Sequence, residues 1–252
     1  MKSLLQNIAL LSILAFTTAC SGSLLKAGPA PDSGFLAETG VDAVANENYP
    51  FHRVWHPESS YEALSASRRI YVAPVNTDKL QNKSHYFNNN QKEKANSAIA
   101  DDAVEISQYI QKSFSGQLNK VAGNRFIVED APVKDAVVLE LALIELTPTD
   151  VARNVLGTVV GTFVPGGGLL GIDGAGKVAI EGRLVDTRTG KTLFTFADRE
   201  TGKMAPLNLN DFSLYSHARD IVDDWAEQLA TVLAASGRIM VADSLPVTLM
   251  PI

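Results

Sequence analysis

The stretch from Ala136 to Thr147 reads AVVLELALIELT, with apolar side chains on both parities. A strand with one wet face alternates apolar and polar residues, so a run that is apolar on both faces has to be covered on both. This run therefore belongs in the middle of a sheet. Shorter strand patterns surround it. Arg69 to Val75 (RIYVAPV) ends near Pro74, and Arg125 to Glu129 is a brief extended segment. Lys177 to Asp186 (KVAIEGRLVD) sets Val178, Ile180 and Leu184 on one side and Glu181 and Arg183 on the other. A turn over Thr187 to Gly190 joins it to Lys191–Ala197 as a hairpin.

Two segments carry the helical period instead. Within Lys92 to Ala122, Ile99, Ala103, Ile106, Ile110, Phe114, Leu118 and Val121 form one stripe, and Gly123-Asn124 stops it. Within Asp211 to Ala235, Leu214, Ala218, Ile221, Trp225, Leu229 and Val232 form a second stripe, with Asn210 as N-cap and Ser236-Gly237 as the end. The expected fold class is α+β: a mostly antiparallel sheet of about five strands, with two long amphipathic helices packed on one face.

The domain spans 68–236. Ahead of it, residues 33–67 show no sustained period but contain Phe35, Tyr49, Phe51, Trp55 and Tyr61, and read as an irregular packed arm. Residues 237–252 read as a tail. Within the domain, 151–176 is a glycine-rich apolar insert, and Asn154 to Ile172 holds no charge in 19 residues. Gly157 and Gly161 stand at a spacing that lets helices approach closely, but Pro165-Gly166-Gly167-Gly168 interrupts any single membrane helix. Three readings stay open: a short apolar helix packed on the domain or on another protomer, a segment that enters the membrane as part of a pore, and a buried crossover. Val155, Val159, Phe163, Leu169 and Leu170 are the candidate contact surface.

The first residues, MKSLLQNIALLSILAFTTAC, place Lys2 before an uncharged run from Ile8 to Ala19. That run is short of the roughly 20 apolar residues needed to span a bilayer, and reads as a signal-peptide core over residues 1–19. It ends on small residues before Cys20, the single cysteine of the chain. The pattern resembles a bacterial lipobox, which implies cleavage before Cys20 and lipidation of its sulfur, although Thr17 stands where the pattern usually has leucine. Ser21 in the next position resembles an outer-membrane sorting signal. Residues 20–32, with Pro29 and Pro31 among small residues, read as a flexible lipidated tether.

Chemistry is sparse. Twenty-eight acidic against 22 basic residues give a net charge of -6, which opposes a general nucleic-acid binder. One cysteine excludes an intramolecular disulfide. His52 and His56 stand four apart, but Pro57 follows and no third ligand is near, so no metal site is expected. Asp101-Asp102 and Asp223-Asp224 lie on amphipathic helices and read as solvated faces. No phosphate loop, dinucleotide fingerprint or serine elbow is present. No catalytic residue and no cofactor are expected.

Ser33-Gly34-Phe35-Leu36, Arg69 to Pro74, Ile180 to Asp186 and Ile221 to Asp224 together resemble the YdcL-like bacterial lipoproteins, a domain of unknown function. The hairpin GRLVDTRTGKTLF is similar to those of curli-secretion-channel and peptidoglycan-synthase-activator lipoproteins. The resemblance implies an envelope location and lipidation. The expected function is a non-catalytic lipoprotein on the periplasmic face of the outer membrane. Its partners would be the membrane, through the anchor, and an envelope protein or a second copy of itself. The alternative is an oligomeric channel or secretion-pore subunit that uses 151–172.

Overall fold

The computed structural model describes residues 27–80, 92–147, 177–201 and 216–235, with 240, 241 and 243. Within these, six strands form one sheet: β1 (Arg53–Trp55), β2 (Arg69–Val72), β3 (Ile127–Glu129), β4 (Val137–Thr147), β5 (Lys177–Asp186) and β6 (Thr192–Thr201). Their spatial order is β1-β6-β5-β4-β2-β3. Three α-helices accompany them: α1 (Glu58–Ala66), α2 (Lys92–Ala122) and α3 (Ser216–Ala234). The class is α+β as expected.

Two details of the expectation are corrected. The sheet is mixed rather than mostly antiparallel, because β2 runs parallel to both β3 and β4. Parallel neighbours need a long crossover, and α2 supplies it between β2 and β3. Since β3 is three residues long, the seven residues from Asp130 to Ala136 suffice to run back beside it, at about 3.4 Å each. The element count also differs, since β1 and α1 add a sixth strand and a third helix. Both arise in the stretch without periodicity, and at three and nine residues they are too short to declare a period.

The doubly apolar run is β4, one of the two central strands of the sheet, and both of its faces are covered. On one face Leu139, Leu141 and Leu143 meet Ile110, Phe114 and Leu118 of α2 and Trp225 and Leu229 of α3 in the main core. On the other, Ala142 and Ile144 form a smaller cluster with Ala179, Ala197, Phe35 and Leu36. The two long helices thus take one face, and the N-terminal arm takes the other. Gly182 on β5 is needed for the helix-side packing, because a Cβ there would sit 2.2 Å from the ring of Phe196.

Local devices fix the joins. Gly190 closes the β5–β6 turn at φ 68°, a region that L side chains rarely adopt, and donates its N–H to Asp186 O at 2.8 Å. The Thr187 hydroxyl donates to Ala136 O at 2.9 Å and accepts from Ala136 N at 3.1 Å, so the turn is tied to the start of β4. Arg125 donates to the carbonyls of Leu64, Ser65 and Ser67, which fixes the C-terminal end of α1 against the exit of α2.

Candidate functional site

The arm face of β4, β5 and β6 is built from rows of directly opposed residues. One row reads Glu145, Ala179, Arg199, the next Ala142, Glu181, Ala197, Arg53, and the third Glu140, Arg183, Thr195, Trp55. In the first two rows an alanine separates the charges. Only a methyl group lies beneath, so the long side chains meet above it. Arg199 grips Glu145 with two bonds, 2.7 and 3.2 Å, and Arg53 reaches Glu181 at 3.4 Å. In the third row Arg183 and Glu140 are neighbours, 2.5 Å apart.

The arm is laid on these rows through hydrogen bonds. Ser33 donates its hydroxyl to Glu181 Oε2 at 2.6 Å and its backbone N–H to Oε1 at 3.3 Å, and Glu181 is fully buried. The Arg183 guanidinium stacks 4.7 Å from the centre of the Phe35 ring. Arg199 donates to Gly28 O at 3.3 Å. Gly34, at φ 82°, lets the chain turn between these contacts.

On the helix side of β6, Asp198 is buried and ties α3 and the entry to β1 to this strand through three bonds. It accepts the Trp225 indole N–H of α3 at 2.6 Å. It also accepts the His52 backbone N–H at 3.0 Å and holds the His52 ring at Nδ1. His52 Nε2 meets Ala27 O at 3.0 Å. The bond to Asp198 is the main reason the His52 imidazole titrates above its ordinary range, against the opposing effect of burial.

His56, at the far end of β1, has the opposite environment. Its ring is set among Tyr49, Tyr61 and Phe194, and Nδ1 bonds the Tyr49 hydroxyl at 2.7 Å. Burial pushes its pKa down to about 4. The two histidines therefore do not converge as a ligand pair, and among the described residues no three His, Cys, Asp or Glu side chains could hold a metal ion.

Beyond the arm's 3-10 turn (Ala37–Thr39), an open cleft of about 790 Å³ lies between that turn, the end of β1, α1 and the β5–β6 turn. This size falls within the range of small-molecule sites, about 300–1,000 Å³. Trp55, Val185 and Leu193 give it apolar walls. Among its charged groups Arg183 pairs with Glu140 and with Glu38, Arg188 lies 3.7 Å from Asp186, and Lys191 adds a further cation. Burial raises the Asp186 carboxyl, but bonds from the Arg188 N–H and the Thr189 hydroxyl outweigh it and hold the group below the usual carboxylate range.

Asp223, read from sequence as solvated, instead lies in the α2–α3 seam. It accepts the hydroxyls of Tyr109 at 2.8 Å and Ser113 at 2.5 Å. Burial first, and that bond second, push the Tyr109 hydroxyl up to about 12. Asp101 is exposed as expected. Cys20 and the candidate contact residues Val155, Val159, Phe163, Leu169 and Leu170 lie outside the described residues. No helix among the described residues is long and apolar enough to cross a membrane. Sequence reasoning missed the buried carboxylates Glu145, Glu181 and Asp198. The one available signal was alanine two places from each partner charge, as in Ala179-x-Glu181 and Ala197-x-Arg199.

Fold and site together define an α+β module whose leading arm is clamped across one sheet face by buried carboxylates. The chain belongs to the family described as "Protein of unknown function (DUF3313)", whose profile matches residues 33–229. None of the curated proteins matches it. Among solved structures it is similar to two of the PelC dodecamer from Paraburkholderia phytofirmans. One, a point variant, is 13% identical over 74% of this chain and 96% of that chain, with a TM-score of 0.37. The other is 11% identical over 79% and 95%, with a TM-score of 0.34. A third is the hypothetical protein CT253 from Chlamydia trachomatis, 10% identical over 68% and 97%, with a TM-score of 0.31. At these scores the likenesses bear on neither function nor assembly.

Proposed function

We propose that this protein is a non-catalytic bacterial envelope lipoprotein. It is anchored through Cys20 to the periplasmic face of the outer membrane, and its domain acts as a binding or assembly component. The lipobox pattern at Cys20, Ser21 after it, and the resemblance of the SGFL segment to YdcL-like lipoproteins motivate the reading.

The observation that carries it furthest is where the arm docks. Ala27 and Gly28 are held by His52 and Arg199, seven and eight residues beyond Cys20. Seven extended residues reach about 24 Å, so an acyl anchor at Cys20 would keep the domain close to a leaflet. Two acyl chains hold such an anchor stably, at about 0.8 kcal/mol per buried methylene. The ionisable groups gathered on the sheet are engaged with one another: Glu181 with Ser33 and Arg53, Glu145 with Arg199, Asp198 with Trp225 and His52. This arrangement suits a rigid presenting surface, with the cleft beside Trp55 as its recessed part.

The test is intact-mass analysis of the mature N-terminus from native membranes, paired with fractionation of a Cys20→Ser variant. A diacylglyceryl-modified Cys20 and release of the variant into the soluble fraction are expected. An unmodified thiol on a protein already in the soluble fraction would overturn the proposal.

A further inference from the structure

His52 sits where the arm, the sheet and α3 meet. Its Nδ1 faces an oxygen of the buried Asp198, and its Nε2 faces the carbonyl of Ala27 at 3.0 Å. A carboxylate and a carbonyl oxygen both accept and cannot donate. Nδ1 also lies 3.4 Å from the Arg199 backbone N–H, a long contact beside the close one to Asp198. To bond the carboxylate and the carbonyl together, the ring carries hydrogen on both nitrogens, which is the imidazolium form. The ring is about one-fifth exposed, with a side-chain value of 22%, so protons can exchange with solvent.

The surrounding groups favour that charge. From β6, Asp198 bonds the ring and Glu200 adds a second negative charge. The neighbouring cation on β6, Arg199, is neutralised by Glu145. From α3, Trp225 offers an uncharged indole to the other oxygen of Asp198. From the arm comes the Ala27 carbonyl. A neutral imidazole has one N–H only. Nδ1 would keep it, because a bare lone pair there would face the negative Asp198 oxygen, even though that carboxylate retains the Trp225 and His52 backbone N–H bonds. Nε2 would then present a lone pair to Ala27 O, and an attractive contact would become a repulsive one.

We propose that His52 is a proton-operated clasp on the N-terminal tether. Charged, it holds the chain at Ala27. Neutral, it releases that point, leaving the 3.3 Å bond from Arg199 to Gly28 as a weak hold and the Ser33–Glu181 contact as the firm one. The first hold after Cys20 would move from Ala27, seven residues on, to as far as Ser33, thirteen residues on. In extended reach that is a change from about 24 Å to about 44 Å. Its meaning as a control of standoff from a leaflet rests on the lipoprotein reading above. The clasp itself does not, and neither does its test.

The single cysteine permits that test. The mature chain from Cys20 onward, made without lipid, would carry a spin label on Cys20, and label mobility would be followed against pH. Mobility is expected to rise as pH climbs through the His52 transition, while far-UV circular dichroism stays constant. A His52→Gln variant, which cannot carry the charge, is expected to show the mobile spectrum at every pH. A label mobility that is flat with pH in the wild-type chain would overturn the clasp. If the variant fails to fold by far-UV circular dichroism, the wild-type pH series alone decides. Because no lipid is involved, a flat result would leave the anchor at Cys20 standing.

Discussion

Trp225 of α3 and His52 at the entry to β1 bond the same carboxylate. Asp198 takes the indole N–H on one oxygen and the His52 backbone and ring on the other. Helix, sheet and arm are thereby joined at one buried charge. Trp225→Phe keeps an aromatic ring in this buried site, removes the donor and leaves a small cavity that adds to the cost. A hydrogen bond to a charged group contributes about 1.5–3 kcal/mol, so the variant should lose stability of that order. Urea denaturation followed by far-UV circular dichroism would show it as a lower midpoint with an unchanged slope.

Gly182 is the point of closest packing on the helix side. An added methyl would meet Phe196 at 2.2 and 2.5 Å and Leu141 at 2.9 Å. Both neighbours are buried, which leaves little room for the ring to move aside. Gly182→Ala should cost at least the roughly 1–3 kcal/mol typical of overpacking. A thermal melt of the variant would read this directly as a fall in Tm.

Glu181 holds the arm down through Ser33 while answering Arg53. Glu181→Ala removes both partnerships from a fully buried site, and a loss of about 1–3 kcal/mol is expected. Glu181→Gln keeps an acceptor for the serine and should cost less. Limited proteolysis should cut the alanine variant between Ser33 and Phe51 faster than the wild type, with the glutamine variant in between.

The two histidines flanking β1 should imprint opposite signs on stability. His56 has a folded pKa of about 4, below the ordinary 6.5. Between those values the unfolded chain takes up a proton that the folded one refuses, so stability should fall as pH drops from 6.5 toward 4. His52 is raised, so its contribution is complete below its unfolded value and is lost as pH rises through the folded one. Denaturation midpoints across pH should show a His56→Phe variant with a flatter acid limb and a His52→Gln variant with a flatter alkaline one.

The long elements were legible because each repeats one period many times. The bounds of α2 read from its stripe, Lys92 to Ala122, are those found, and β5 likewise matches from Lys177 to Asp186. β6 runs on to Thr201, past the expected end at Ala197, because the charged Asp198 and Arg199 look like a strand terminus until their partners across the sheet are known. Glu181 and Arg183 fall where alternation puts polar residues, which reads as a wet face. That face is covered by a segment some 150 positions earlier, joined by the contacts of Ser33 and Phe35 at a separation of 148. No local pattern announces such a contact. The parallel pairing of β2 was hidden for a related reason, since the crossover through α2 is consistent with either direction until the partner strand is placed.

The arm reaches the sheet's interior strands before it becomes a strand itself. Ser33 is tied to β5, and Ala27 and Gly28 are tied to the β6 side, whereas the edge strand β1 begins only at Arg53. A pull applied at the leading end would thus load His52 first, which Asp198 ties to β6, and then Arg199 and Glu181, both on interior strands. The vulnerable three-residue edge, which would unzip one bond at a time, is shielded from that force.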